Sequence, residues 1–517
     1  MLTIFARMFV IVILLLAHVA IASDSRPNIL IIYADDLGYG DVACNNLARG
    51  KIKTPHLDAL ASAGMRFTDA HSSSGVCSPS RYALLTGRYH WRTRLQRGIV
   101  GTWGKPLIAA DRLTVASLLK QHGYTTACIG KWHLGWDWPI ETGKQPPLFN
   151  AKKGPDNAPT SEQLAAWRTT FSQPISGGPI TRGFDKYFGT DVPNWPPFCF
   201  IEQDRTVGIP TEFLPARLLQ DNQASVPGPA LKNWKLEPIL PALYQRATEF
   251  IKQAATAQQP FFVYLPLTTP HTPLAVNSSW VGKSGLNAFA DLVMETDNVI
   301  GRVLQSVDEL GLSDNTLVIF TSDNGCAPYI GVEQLEAHGH FPSGPLRGYK
   351  SDAWEGGHRV PFIIRWPGRV SANSVCSQLI HQADLMATIA EIVGATLPAN
   401  AGEDSHDIGP LLRGQDRPIR QHAISQSSGG LLALRQGDWK MIFGSGSGGW
   451  GKGADAMPAQ LYNLSVDISE SKNLYANNPE QVQQMTALME KLVTDGRSTP
   501  GPQQANDVPV DWRQFMK

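Results

Sequence analysis

The sequence predicts an α/β sandwich: a large mixed, mostly parallel sheet flanked by helices, with a smaller C-terminal α+β subdomain carrying a short antiparallel sheet. Three observations predict it. Continuous apolar runs such as Ile29-Leu30-Ile31-Ile32-Tyr33 and Thr316-Leu317-Val318-Ile319-Phe320 mark strands buried on both faces. Such runs alternate along the chain with helical periodicity, the pattern of a parallel sheet with crossover helices. Two of them end in polar oxygen-bearing pairs, Asp35-Asp36 and Asp323-Asn324. Open α/β sheets bind ligands at the carboxyl ends of their strands, so function is expected there.

The elements follow in order. The first strand spans 27–33. Residues 113–122 read as a helix, 125–130 as a strand, 242–257 as a helix and 261–266 as a strand. The clearest helix is 287–310, where Phe289, Leu292, Val293, Thr296, Ile300, Val303, Leu304 and Val307 recur at helical spacing. Gly311 stops it, and the strand 316–320 runs on into Ser322-Asp323-Asn324-Gly325. A further strand covers 360–365 and a helix 383–394. The stretch 136–240 is rich in Pro, Gly, Asn and Trp with little periodicity, the expected make-up of a substrate rim. After a composition shift at 400–420, strands are expected at 422–425, 431–435, 439–442 and 460–463, with a helix at 479–493. Gly444 to Gly449 reads as a flexible loop. The division expected is a leader at 1–22, a main domain at 23–400 and a subdomain at 401–517.

Composition bounds the answer. Of 517 residues, 42% are hydrophobic, which excludes global disorder, and the formal net charge is zero, which gives no support for a nucleic-acid partner. Arg7 precedes the apolar run Met8 to Leu16, and Ala20-Ile21-Ala22 supplies a small-x-small cleavage pattern. This reads as a secretory signal peptide cut after Ala22. The protein is therefore expected to be exported, periplasmic or secreted, with no stable membrane insertion after signal removal. Six cysteines are few for this length, and spacing assigns no disulfide among them.

The chemistry starts at Cys77-Ser78-Pro79-Ser80-Arg81. Ser78 is expected to cap a helix with Pro79 in its first turn and Gly87 at its end, leaving Cys77 just before the helix N-terminus. Partial positive charge there favours an anion. Asp35, Asp36, Asp323 and Asn324 offer only hard oxygen ligands, which suit Ca²⁺ or Mg²⁺ and not zinc.

These motifs together resemble the type I, formylglycine-dependent sulfatases of the alkaline phosphatase superfamily. The resemblance runs from Asn28 to Asp36 through Gly38-Tyr39-Gly40-Asp41, Thr54-Pro55-His56-Leu57-Asp58, Cys77 to Arg81 with Leu85-Thr86-Gly87-Arg88, and Gly130-Lys131-Trp132-His133-Leu134-Gly135. It continues through Thr269-Pro270-His271, Phe320 to Gly325, and Lys350 with Glu355-Gly356-Gly357, spanning roughly residues 27–370. It implies an alkaline-phosphatase-like sandwich and a calcium ion held by Asp35, Asp36, Asp323, Asn324 and modified Cys77. It also implies that a separate maturation enzyme oxidises Cys77 to formylglycine, whose hydrated aldehyde carries two hydroxyls. One hydroxyl, activated by calcium and Arg81, attacks sulfur and displaces the alcohol. The second loses a proton and the hemiacetal collapses to expel sulfate. By the same resemblance Lys131 and Lys350 grip sulfate and the formylglycine oxygens, His133 takes the proton from the second hydroxyl, and His271 binds sulfate and protonates the leaving oxygen with Lys350 nearby. His56 and His90 are left as structural or surface residues.

The substrate expected is a sulfated carbohydrate of galactose or N-acetylgalactosamine type. The rim residues proposed for it are Trp195, Asp191, Asn194, Arg205 and His358, with Trp136, Trp138, Glu202 and Arg359 as further candidates. Two rivals are kept: a phosphodiesterase or phosphonate hydrolase of the same superfamily, and an inactive sulfatase-fold glycan-binding protein.

Overall fold

The computed structural model describes residues 26–144, 148–149, 159–453 and 456–516, so the expected signal peptide lies outside the described residues. Ten strands form the main sheet: β1 (Asn28–Ala34), β2 (Met65–Phe67), β3 (Thr125–Lys131), β4 (Lys186–Thr190), β5 (Ile201–Glu202), β6 (Arg205–Thr206), β7 (Phe261–Pro266), β8 (Thr316–Ser322), β9 (Phe362–Arg365) and β10 (Ser374–Cys376). Their order is β10-β2-β9-β8-β1-β7-β3-β4-β5-β6. The five central strands, β8, β1, β7, β3 and β4, are mutually parallel. Strand β9 joins β8 antiparallel and β5 joins β4 antiparallel, so the sheet is mixed at both flanks, as expected.

Strand β1 shows why the sequence does this. All seven of its residues are buried. Alternate side chains enter opposite layers: Ile29, Ile31 and Tyr33 one core, Leu30, Ile32 and Ala34 the other. Helices cover both faces. The helices α2 (Cys77–Thr86), α3 (Val115–Gln121) and α7 (Leu385–Ile392) pack on the first face, while α1 (Pro55–Ser62), α5 (Ile239–Thr256) and α6 (Ala288–Glu309) pack on the second. The side chain of Asn287 accepts from Ala290 N at 3.0 Å and caps α6, the helix that carries the strongest sequence periodicity.

The stretch 136–240 is more regular than expected. It contains the helix α4 (Ser161–Phe171), begun by a Thr160–Gln163 capping box, and the strands β4 to β6 that extend the sheet. Helix α4 buries only Trp167, Thr170 and Phe171, at one end, so it shows almost no apolar stripe in the sequence.

The C-terminal sheet is antiparallel in chain order: β11 (His422–Gln426), β12 (Leu432–Gln436), β13 (Trp439–Ile442) and β14 (Gln460–Asn463). Helix α8 (Pro479–Thr494) packs on it through Met485, Met489 and Leu492. Tyr89 and Trp91 from the first part of the chain complete that same core. Backbone bonds stitch the two parts together, Gln426 N to Ser73 O at 3.0 Å and Gly75 N to Gln426 O at 2.9 Å. None of the six cysteines is disulfide-bonded.

Candidate active site

Parallel pairing of β1 with β8 sets Ala34 beside Ser322, so the residues that follow, Asp35-Asp36 and Asp323-Asn324, emerge together. Strand β3 ends in Lys131, on the other side of β7. Two residues just past these strand ends adopt the left-handed backbone that non-glycine residues avoid, Asp36 at φ 65° and His133 at φ 53°. Local bonds hold them there: Asp36 N donates to Asp323 Oδ1 at 3.0 Å, and His133 N donates to Asp191 Oδ1 at 3.2 Å. Backbone strain of this kind concentrates at functional sites.

Helix α2 begins two positions earlier than the capping rule predicts. Its N-cap is Val76 and Cys77 is its first residue. Ser78 is not a cap; its buried hydroxyl accepts from Val100 N at 3.1 Å instead, a tertiary bond that local sequence cannot show. Gly87, at φ 64°, closes the helix as expected.

Around Cys77 the charges converge, and all of these side chains are buried. Cys77 Sγ lies 3.6 Å from Asp35 Oδ1, 4.0 Å from Asp36 Oδ1 and 3.6 Å from Lys131 Nζ. Lys131 Nζ lies 2.7 Å from Asp35 Oδ2, Arg81 Nη2 lies 2.8 Å from Asp323 Oδ2, and Lys350 Nζ lies 2.6 Å from Asp36 Oδ2. His271 Nε2 is 3.6 Å from the same Asp36 oxygen. Asn324 Nδ2 donates to Asp36 Oδ1 at 2.8 Å.

The electrostatics follow from this crowding. Burial opposes the charge of Asp35, yet Lys131, His271 and Arg81 hold its carboxyl well below the usual range. Burial opposes the charges of Lys131 and Lys350 too, but Asp35 and Asp36 respectively keep both ammonium groups protonated. Asp323 goes the other way: burial and then the Asp35 charge push it up to about 7. Burial and the Asp323 charge raise the Cys77 thiol, so the unmodified side chain is a poor nucleophile.

The two histidines are neutral. Burial, then Lys131, lowers His133 well below its ordinary value, and burial lowers His271 to about 4. Val100 O can only accept, so the bond at 3.1 Å puts the His133 proton on Nε2. His133 Nδ1 is left as a buried lone pair with no protein partner. His271 Nδ1 donates to Thr272 O, which leaves its Nε2 as the nitrogen facing Asp36.

The oxygen cluster fits a metal. Asn324 Oδ1 is buried without a protein partner, as a cation ligand would be. Burial, and then the neighbouring Asp35 charge, raises the carboxyl of Asp323, and a cation bound among these oxygens would favour its charged form. Ligand atoms of Asp35, Asp36, Cys77 and His271 all lie within 4.8 Å of one another. The sequence motif Glu355-Gly356-Gly357 serves this site by packing: a Cβ on Gly325 would sit 2.0 Å from Gly356 O. Behind it Lys440, from β13, bridges Glu355 at 2.9 Å and Glu470 at 2.8 Å, a buried network that sequence reading missed.

The rim residues divide. Asp191 bonds the His133 backbone, and the Trp195 ring lies 5.4 Å from that of His133, so both border the site. Asn194 is buried and donates to Ala224 O, which makes it a loop support. Arg205 is on the edge strand β6, donating to Ser172 O, and Glu202 pairs with Arg246. His358 is buried between His71 and Lys440, and Arg359 pairs with Glu355 and Asp69. Trp136 and Trp138 belong to the core and not to the rim. Their spacing beside Pro and Gly resembles a surface loop, and only the tertiary packing reveals their burial. His90 is buried between Ser73 and Gln426, and His56 packs against Gly301 in α6.

A buried oxygen cluster faced by three cations, beside a cysteine at a helix start, defines a hydrolase for anionic esters. The sequence profile of the Sulfatase family matches residues 27–395, and the chain belongs to that family, the sulfuric ester hydrolases of the alkaline phosphatase superfamily. It is similar to an N-acetylgalactosamine-6-O-sulfatase of Bacteroides thetaiotaomicron, 32% identical over 91% of this chain and 94% of that one. It is similar to human arylsulfatase A at 33% identity, over 95% of this chain and 93% of the relative. A solved structure from work on the metabolism of multiple glycosaminoglycans by Bacteroides thetaiotaomicron superposes with a TM-score of 0.74. It is 30% identical and covers 90% of this chain and 99% of its own.

Proposed function

We propose that this sulfatase removes O-sulfate from a sulfated carbohydrate of galactose or N-acetylgalactosamine type, using Cys77 matured to formylglycine and a calcium ion. The observation that carries the reading is the convergence of Asp35, Asp36, Lys131 and Arg81 on the first turn of α2. The names of the similar proteins, an N-acetylgalactosamine-6-O-sulfatase and a structure complexed with a neocarrahexaose, support the substrate class.

Asp35, Asp36, Asp323 and Asn324 would hold the calcium, whose charge, when bound, offsets that of the sulfate oxygens and of the residue 77 oxygen. The formylglycine hydrate supplies the attacking hydroxyl. Lys131 and Arg81 orient that group and the sulfate against the helix start. His133 accepts a proton at Nδ1, the lone pair that its Nε2 bond to Val100 O leaves free. His271 binds the sulfate, and once the arriving anion favours its protonated form it gives the leaving oxygen a proton. Lys350, kept protonated beside Asp36, lies nearby and holds the sulfate.

Removing divalent cations with a chelator should abolish turnover, and calcium should restore it best. Full activity in the metal-free protein would sink the metal assignment. Export through a signal peptide ending at Ala22, and maturation by a separate enzyme, complete the proposal. N-terminal sequencing of protein recovered outside the cytoplasm should then begin at Ser23; an intact Met1 start would contradict cleavage after Ala22, and protein confined to the cytoplasm would contradict export.

A further inference from the structure

Tyr329 and Trp450 form an aromatic pair to which the proposed chemistry gives no task. Trp450 is 48% exposed, whereas Trp132, Trp136 and Trp138 are buried in the core. Its ring lies 5.6 Å from that of Tyr329, centroid to centroid, tilted by 50°. Tyr329 lies in the short turn Pro328–Ile330, three residues past Cys326, whose carbonyl accepts from Lys350 N at 2.9 Å. The pair therefore borders the Lys350 side of the anion pocket. Trp195 borders the His133 side. Strands β8 and β4, which deliver these two sides, lie on opposite sides of β1.

The loop that carries Trp450 reads in sequence as a flexible run of Gly and Ser, yet it is tied down. Gly451 N donates to Asp352 Oδ1 at 2.7 Å, and Ala353 N donates to Ser447 O at 2.8 Å. A Cβ on Gly449 would sit 2.2 Å from Ser351 O, and one on Gly451 would sit 2.6 Å from Asp352 Oδ2. Glycine is what lets the loop lie against residues 351–352, directly after Lys350. A loop held this closely, with one large apolar side chain left half in water against Tyr329, is built to present that side chain.

We infer that Trp450 and Tyr329 form a stacking subsite for a pyranose ring of the leaving saccharide. The C–H face of a sugar ring is apolar and packs on an aromatic face, which removes both from water. The ring edge keeps its hydroxyls for solvent and for the polar groups of the rim. The subsite lies on the side of Lys350, where the leaving oxygen departs. The inference rests on the carbohydrate reading above.

The test compares wild type, Trp450→Ala and Trp450→Phe on a sulfated oligosaccharide that the matured wild-type enzyme cleaves, with thermal melting alongside. Trp450→Ala should raise KM at least about tenfold with kcat little changed, as loss of one ring-stacking contact would. Trp450→Phe should recover most of it, and melting should not shift. Unchanged KM in Trp450→Ala, or an equal loss in the Phe variant, would overturn the subsite while leaving the carbohydrate reading intact. A wild-type enzyme that cleaves aryl sulfates but no saccharide sulfate would instead overturn the carbohydrate reading, and the subsite with it.

Discussion

At the scale of single residues, His133 carries the sharpest chemistry. Its left-handed backbone is fixed, and its Nε2 bond to Val100 O leaves Nδ1 as a buried lone pair with no protein partner. A general base contributes about 10²–10⁴-fold. His133→Ala should therefore lower kcat by that order with little change in melting temperature, measured as sulfate release from a fixed substrate. Unchanged kcat would remove His133 from the proton transfers. The identities of these residues were legible in the sequence because strand ends and the cysteine motif announce them. Their directions were not. Ser78 reads as a cap, yet it spends its hydroxyl on Val100, twenty-two positions away. His358 reads as rim, yet it lies buried against Lys440 from the C-terminal sheet.

At the scale of elements, the site depends on how closely two segments approach. The turn after β8 lies against residues 355–358, and Gly325 meets Gly356 O where a Cβ would come within 2.0 Å. Gly325→Ala should push these segments apart and displace both Asn324 and Lys350. The expected outcome is weaker metal binding together with lower melting temperature, read by calorimetry. Wild-type metal affinity in that variant would contradict the packing argument. Long periodic elements such as β1 and α6 were legible because their burial is two-sided or striped. Helix α4 and the strands β5 and β6 were not, since they are short or bury few side chains.

At the scale of the molecule, the two parts of the chain share cores and charges. Tyr89 and Trp91 complete the C-terminal core, and Lys440 and Glu470 brace Glu355 behind the site. Neutral histidines mark this seam, His90 buried and His406 and His422 partly buried. Burial lowers His90 to about 4, His422 to about 4 and His406 further still. In the unfolded chain they titrate near ~6.5. Their folded values are depressed, so the unfolded chain binds more protons between about pH 6.5 and 4. Their contribution to stability is complete above that window and is lost as pH falls through it. Melting temperature should drop across the window, and Ala variants of His90 or His422 should drop less steeply. A flat profile would contradict the assignment. The sequence showed the C-terminal sheet as a separate block after 400 but could not show that its core reaches back to residues 89–91.

The central claim is that Cys77, once matured, hydrolyses a carbohydrate sulfate. The direct measurement is sulfate release from a panel of defined sulfated saccharides, with formylglycine confirmed by mass over the Cys77 peptide and Cys77→Ala as the comparison. The expected result is release from galactose- or N-acetylgalactosamine-type sulfates by the matured protein and at least about a 10⁴-fold loss in the variant, whose fold is retained. No release from any saccharide despite confirmed maturation, with faster hydrolysis of aryl phosphate than aryl sulfate, would contradict it.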